Sequence, residues 1–187
     1  MNDSVRVTVV CTANQCRSPL AAAILGRELE RAGVAATVGS VGTEATGDPA
    51  TPGTVIAARR LGLDLGGHVG TRLDPAALAD ASLVLAMERR HVQDVVIAVP
   101  DAFPRTFTLK ELVRRAAADG PRLPTEALPA WLARVGSGRR PADLLGQSPL
   151  DDIADPTVDP LLDHDALATE LTELVEQLVA LAWPRSG

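Results

Sequence analysis

Residues 5–19 read Val-Arg-Val-Thr-Val-Val-Cys-Thr-Ala-Asn-Gln-Cys-Arg-Ser-Pro, and this stretch decides how the chain begins to fold. Residues 5–10 are rich in β-branched side chains, which is typical of a buried strand. The polar residues 11–18 follow as a turn. Pro19 suits the first turn of a helix, and good helix formers continue to Arg31 before Gly33 ends it. We therefore predict a strand, a tight loop and a helix.

The rest of the chain repeats this alternation of strand and helix. Short apolar runs predict strands at 36–40, 83–87 and 106–108, and helical patterns predict helices at 52–61, 88–99, 109–118 and 167–181. The alternation predicts an α/β fold: a three-layer sandwich with a central, mainly parallel, four-stranded sheet and helices on both faces. Ligands bind beyond the carboxyl ends of such strands, which is where Cys11 is expected.

Length and composition limit the possible classes of protein. The 187 residues fit a single domain, 1–187, with a loop-rich insert at about 119–149 that holds five prolines and a helical stretch around Trp131. A net charge of -6 argues against nucleic acids and anionic membranes as partners. The N-terminus lacks the features of a signal peptide, and no apolar run is long enough to span a bilayer. We therefore expect a cytoplasmic protein.

The spacing of Cys11 and Arg17 favours a phosphate-binding loop. A tight turn before a helix N-terminus aims several backbone N–H groups at one point, and the helix dipole adds positive potential there. The planar guanidinium of Arg17 fits phosphate oxygens, and the same field favours the thiolate of Cys11, to which Ser18 can donate a hydrogen bond. The alternative is a buried structural cysteine, which is common after a strand. The preceding strand, Pro19 and the alanine-rich helix favour the functional interpretation.

Residues 11–19 resemble the phosphate-binding loop of the low-molecular-weight protein tyrosine phosphatases. Residues 40–43, 67–68 and 85–89 are similar to segments of that family in the same order, and the resemblance covers nearly the whole chain apart from 119–149. It implies a two-step, cysteine-dependent phosphatase that needs no metal and no other cofactor. Cys11 would be the nucleophile, Arg17 the phosphate clamp, and Asp155, before Pro156, the general acid.

The resemblance also implies roles for residues around these three. The phosphate would be bound by the other loop residues, namely Thr12, Ala13, Asn14, Gln15, Cys16 and Ser18. Asn14, Ser40 and His68 would hold the loop in a strained shape. Cys16 would form a reversible disulfide with Cys11, protecting the nucleophile from overoxidation.

Several further polar residues match no functional residue of the family. We expect His91 on a helix surface and His164 at a helix N-terminus. The carboxylates near the proposed general acid are expected to be solvated; they are Asp151, Asp152 and Asp159.

The substrate pocket departs from the family pattern. Thr157 stands where members usually have an aromatic residue, and residues 44–48 also lack one. Gln15 replaces an apolar or small residue and Ala13 a glycine. Because stacking on an aromatic ring contributes roughly 0.5–1.5 kcal/mol, phosphotyrosine would bind weakly here. We expect a phosphorylated protein or a small phosphorylated substrate as partner, with phosphotyrosine as the main hypothesis and phosphoarginine or a small phosphorylated metabolite as alternatives.

Two other functional classes share this kind of loop. Arsenate reductases of the thioredoxin-coupled kind need further cysteines downstream, and this chain has none after Cys16. A non-catalytic phosphate-binding module would be favoured if Cys11, Arg17 or Asp155 were missing, but all three are present. Both classes are therefore the weaker alternatives.

Overall fold

The computed structural model describes residues 4–157 and 163–184. Within them the strands are β1 (Val5–Cys11), β2 (Ala36–Gly42), β3 (Leu83–Ala86) and β4 (Thr106–Thr108). The helices are α1 (Arg17–Arg31), α2 (Pro52–Arg60), α3 (Pro75–Ala79), α4 (Arg89–Ala98), α5 (Leu109–Asp119), α6 (Leu128–Val135) and α7 (His164–Ala182). Short 3-10 helices lie at Pro100–Arg105 and Pro141–Leu144. The predicted alternation is confirmed, although α3 was not predicted and α1 begins two residues before Pro19.

The four strands form one parallel sheet in the order β2-β1-β3-β4. The strand order reverses between β1 and β3, and such a reversal leaves a crevice at the carboxyl ends of the strands. Cys11 is the last residue of β1 and lies opposite Gly42 of β2. The sheet therefore places the predicted nucleophile at this crevice.

Helices cover both faces of the sheet, which confirms the three-layer prediction. On one face, Val7 and Val9 of β1 join the main core cluster with side chains of α1, α2, α5, α6 and α7. On the other face, Val10 packs in a second cluster with Leu78 of α3 and Val95 of α4. Successive strand residues point to opposite faces, so β1 is apolar on both.

Side-chain caps set the starts of several helices, as at α2, α5 and α7. Thr51 accepts a hydrogen bond from the backbone of Thr54 at α2, Thr108 caps α5 and Asp163 caps α7. Each such cap typically stabilises a helix by about 1 kcal/mol. Among the described residues, no helix is both long enough and apolar enough to cross a membrane.

The 119–149 segment is only partly the surface loop that its prolines suggest. α6 forms around Trp131, which is fully buried and joins Leu132 and Val135 in the main core cluster. The Trp131 indole N–H donates to the carbonyl of Gly120 at 3.3 Å. The expected helical stretch is thus present and belongs to the core; that the segment is an insert stays a prediction.

Candidate active site

The loop between β1 and α1 folds back on Cys11. The backbone N–H of Asn14 points at Cys11 Sγ at 3.3 Å, and Ser18 Oγ lies 2.9 Å from the same sulfur. Asn14 also donates through its side-chain amide to Ser18 Oγ at 2.8 Å, and the Ser18 hydroxyl has two acceptors within reach, the sulfur and the Val41 carbonyl at 3.4 Å. The loop thus places a backbone N–H and a hydroxyl at the sulfur of Cys11.

Asn14 has a left-handed backbone, with φ at 56°, and its side chain is fully buried. Its amide also donates to Ser40 Oγ at 2.8 Å, and its Oδ1 accepts from the backbone of Thr71 at 2.9 Å. His68 Nε2 donates to the Asn14 carbonyl at 2.7 Å. The structure therefore brings Asn14, Ser40 and His68 together around the strained residue, where they can hold the loop in shape.

Gly42 allows β2 to approach this loop closely. A Cβ atom at Gly42 would lie 2.5 Å from the backbone oxygen of Thr12 and 2.9 Å from the nitrogen of Asn14. Any larger residue would displace the loop backbone. Sequence reasoning included this glycine in a family-like segment without assigning it this steric role.

Arg17 is buried beneath the loop, with 1% of its side chain exposed. It pairs with Glu88, donates to Asp155 Oδ2 at 2.6 Å and donates to the carbonyl of Ile153 at 3.0 Å. Its Nε has no hydrogen-bond partner among the described residues. The other Asp155 oxygen accepts from the hydroxyl of Thr157 at 2.6 Å. The general-acid candidate therefore lies directly against the phosphate-clamp candidate.

A cavity of about 130 Å³ connects these groups. Its lining comes from the loop, the N-terminus of α2 and the 155–157 turn: Cys11, Ala13, Gln15, Cys16, Arg17, Thr51, Asp155 and Thr157. None of these side chains is aromatic. Thr51 was missed by sequence reasoning, because its place before the predicted helix at 52–61 gives no sign that it faces the loop.

The outer side of the cavity carries a carboxylate. Gln15 Nε2 donates to Asp48 Oδ2 at 3.2 Å, and the hydroxyl of Thr46 donates to the same oxygen. Asp48 and Thr46 are exposed on the loop after β2. This rim is polar and acidic in place of the aromatic wall expected for a phosphotyrosine pocket.

The family model for low molecular weight phosphotyrosine protein phosphatases matches residues 6–122, which is more than half of the chain. The chain belongs to this family. A protein-arginine-phosphatase of Bacillus subtilis is 36% identical over 114 residues, covering 60% of this chain and 75% of the relative. A putative low molecular weight protein-tyrosine-phosphatase of Klebsiella pneumoniae is 32% identical over 102 residues, covering 54% and 68%.

Solved structures of the phosphatase family extend the likeness beyond the matched segment. The low molecular weight protein tyrosine phosphatase from T. tengcongensis superposes with a TM-score of 0.70 at 29% identity, covering 94% of this chain and 98% of that one. The YwlE arginine phosphatase from Geobacillus stearothermophilus gives 0.65 at 28% identity, covering 93% and 90%. The family model ends before Asp155, so the role of Asp155 stays a prediction.

One histidine prediction is wrong for this phosphatase. His91 is fully buried and does not lie on a helix surface; its Nε2 is 3.0 Å from Thr12 Oγ1. Burial lowers the pKa of His91 to about 3, so its ring is neutral. His164 begins α7, as predicted, with Nε2 3.2 Å from Thr51 Oγ1.

Two of the three carboxylates expected to be solvated are bound within the protein. Asp151 accepts hydrogen bonds from Arg89 and Arg114 and is buried. Asp152 accepts from the backbone of Arg89, the first residue of α4, at 2.8 Å. The helix N-terminus and the two arginines compensate these charges, which the sequence spacing did not reveal. Asp159 lies outside the described residues.

The second cysteine is a thiol under ordinary conditions. Burial raises the pKa of Cys16 to about 11, with Asp155 and Cys11 adding to the increase. Both cysteines are free and buried, so the bridge between Cys11 and Cys16 stays a prediction. Cys16 is therefore a thiol lining the cavity, not a second thiolate.

Proposed function

We propose that this phosphatase hydrolyses phosphate esters through a cysteinyl-phosphate intermediate on Cys11. The observation that carries the proposal is the meeting of Cys11, Arg17 and Asp155 around one cavity. Backbone and hydroxyl donors point at the sulfur of Cys11, and a buried guanidinium with an unpartnered N–H lies beside it. An anionic phosphoryl group is the ligand that these donors fit.

The proposed reaction has two steps. Cys11 Sγ attacks phosphorus while the P–O bond to the substrate breaks, and Asp155 gives its proton to the leaving oxygen. Water then attacks the cysteinyl phosphate, with Asp155 taking the proton from water and Cys11 leaving as thiolate. Arg17 and the loop amides stabilise the charge on the phosphoryl oxygens, so the mechanism requires no metal. Because Asp155 contacts Arg17 in the structure, the substrate phosphate would displace this carboxylate from the guanidinium.

A first assay follows hydrolysis of p-nitrophenyl phosphate without added metal. We expect Cys11→Ser to abolish turnover and Asp155→Asn to lose about a hundredfold or more on a substrate with a poor leaving group. Asp80→Asn is the matched control, since this exposed carboxylate also pairs with an arginine but lies far from the cavity. A wild-type protein that binds phosphate without turnover would instead favour a phosphate-binding module.

Phosphoarginine is the second candidate substrate, and the acidic rim of the cavity favours it. A guanidinium is positively charged and donates hydrogen bonds, which Asp48 and the Gln15 amide oxygen can accept. A phenyl ring would find no aromatic side chain in the cavity lining. The relatives named above include both arginine and tyrosine phosphatases.

The two substrates can be separated with matched peptides carrying phosphotyrosine or phosphoarginine at one position. We expect Asp48→Asn to lower kcat/KM for the phosphoarginine peptide by about three- to tenfold relative to the phosphotyrosine peptide. An unchanged ratio would remove Asp48 from substrate choice. If wild type hydrolyses neither peptide but turns over small phosphate esters, a phosphorylated metabolite becomes the substrate class.

We further propose a cytoplasmic setting with phosphorylated proteins as partners. The support is chemical: the mechanism needs Cys11 reduced, and thiols stay reduced in the cytosol. The net charge of -6 supports the absence of nucleic-acid and anionic membrane partners.

A further inference from the structure

Residues 88–91, at the start of α4, contact both ends of the phosphate loop. At the end of the loop, Glu88 pairs with Arg17. At its beginning, the hydroxyl of Thr12 accepts from Arg90 Nη2 at 2.8 Å and lies 3.0 Å from His91 Nε2. Glu88 also accepts from Arg90 Nε at 2.7 Å, so the contacts form one connected network.

His91 is the buried member of this network. Its side chain is inaccessible to solvent, and its Nδ1 has no hydrogen-bond partner within the described part of the chain. Burial keeps the ring neutral against the opposing field of Glu88, while Arg17 and Arg90 add to the effect of burial. The contact with Thr12 therefore does not depend on a positive charge on the ring.

The free-energy cost of burying His91 favours a role in positioning the loop. A buried imidazole with an unpaired nitrogen is a poor choice for packing alone, because an unsatisfied polar atom destabilises the fold. The ring provides a fixed hydrogen-bond partner for the hydroxyl of Thr12, the first residue after the nucleophile Cys11. Anion-binding donors must be held within about 0.5 Å of their productive positions, and residues of this kind provide that support.

We propose that residues 88–91 fix the separation between Thr12 and Arg17, with His91 as a positioning residue for the phosphate loop. The inference rests on the proposed function, since it concerns the loop that would bind the phosphoryl group. The contacts of Asn14 with Ser40 and His68 hold the middle of the loop, whereas this segment holds its two ends. Both sets of contacts are needed to aim the loop amides at one point.

The test compares two substitutions at the histidine. His91→Leu removes the hydrogen bond while filling the buried space, and His91→Gln places an amide where Nε2 lies. We expect His91→Leu to lower kcat/KM for p-nitrophenyl phosphate by roughly tenfold and to weaken phosphate binding, measured by calorimetry, by a similar factor. His91→Gln should recover most of both losses, and its pH–rate profile should have the same shape as that of the wild type.

A double variant tests whether the histidine acts through the hydroxyl. Thr12→Val should produce a loss at least as large as that of His91→Leu, because it also removes the contact with Arg90. Adding His91→Leu to Thr12→Val should cost less than about twofold more, because the contact between the two residues is already gone. Gln93→Ala is the matched control. This residue of α4 donates to the carbonyl of Leu144 at 2.7 Å, away from the loop, and its removal should leave kcat/KM unchanged.

Two outcomes would overturn the proposal: wild-type kcat/KM and phosphate affinity in a folded His91→Leu protein, or multiplicative losses in the double variant. A different result would refute the proposed function. If the wild type binds phosphate but hydrolyses nothing, the phosphatase mechanism fails, and weaker phosphate binding in His91→Leu but not in His91→Gln still supports the positioning role. Circular dichroism of each variant separates these outcomes from unfolding.

Discussion

The side chains of Arg17 and Arg139 are both almost completely buried, and their surroundings differ. Arg139, 3% exposed, is saturated: it pairs with Glu111 at 2.8 Å, donates to the carbonyl of Thr106 at 2.8 Å, and stacks on the rings of Phe103 and Phe107. Arg17 is equally buried, yet one of its N–H groups has no partner among the described residues and a cavity lies beside it. Each guanidinium nitrogen of Arg139 has a hydrogen-bond partner, whereas the Nε of Arg17 has none among the described residues.

The carboxylates on the two arginines differ in the same way. Glu111 is as buried as Arg139, and it also pairs with Arg115 at 3.1 Å. Asp155 is 17% exposed and is held by the short 155–157 turn. We therefore expect an incoming phosphate to replace the partly exposed Asp155 at the guanidinium of Arg17, but not to replace the buried Glu111 at Arg139.

The largest expected effect is the loss of activity in Arg17→Met. Because Arg17 would stabilise the transferring phosphoryl group, we expect kcat/KM for p-nitrophenyl phosphate to fall by about a thousandfold or more. Phosphate should raise the melting temperature of the wild type but not of this variant, since a ligand stabilises only the protein that binds it. A variant that retains the phosphate-induced shift would contradict the assignment of Arg17 as the phosphate clamp.

Arg139→Met should show the opposite pattern. Its removal leaves Glu111 buried with only Arg115 as partner, and we expect a loss of about 3 kcal/mol in the free energy of unfolding. At temperatures where the variant is folded, its kcat/KM should equal that of the wild type. Urea unfolding and the p-nitrophenyl phosphate assay measure the two quantities on the same preparation. The contrast between the two arginines is contradicted if Arg139→Met is less active and more stable than Arg17→Met.

Glu88→Gln sharpens the comparison through pH. Burial alone would raise the pKa of Glu88, but hydrogen bonds from Arg90 and Arg17 outweigh it and hold the pKa below its ordinary value. Such a carboxylate stabilises the fold above its ordinary pKa, near 4.3, and the contribution is lost as pH falls through the lowered pKa. We expect Glu88→Gln to be less stable at pH 7 by about 1–2 kcal/mol, with the difference closing below about pH 4. Urea titrations across this range measure the difference, and a constant one would argue against the pairing.

The smallest expected effect is a difference in the rate at which the thiols of Cys11 and Cys16 are alkylated. The pKa of Cys16 is raised to about 11 by burial, so it stays protonated at pH 7 and should react slowly with iodoacetamide. Cys11 has donors aimed at its sulfur and should be alkylated first, with phosphate protecting it. Peptide mass mapping identifies the labelled residue. After peroxide treatment the same mapping tests the predicted Cys11–Cys16 bridge, which is refuted if Cys11 is found as sulfinic acid with no recoverable disulfide.

The sequence was a reliable guide wherever the signal was local. The β-branched run of β1, the helix former pattern of α1 and the apolar stripe of α7 each lie within one element, and all three elements form as predicted. α3 was missed because five residues are too few to show a helical period. Trp131 was predicted to lie on a helix, but its burial depends on the packing of α6 against α5, which no local pattern reports.

The sequence by itself determined the strand, the loop and the helix that present Cys11 and Arg17, because backbone sterics and a short spacing are enough to build an anion-binding turn. Only the tertiary structure decided which distant groups surround that turn. Glu88 and Asp155 lie 71 and 138 residues from Arg17 along the chain, yet both contact its guanidinium. The parallel sheet produces this meeting, since it brings the carboxyl ends of β1 and β3 to one edge. Whether a buried arginine has a partner for each nitrogen or keeps one available to a ligand depends on the residues that the fold brings around it. The identity of no single residue predicts this.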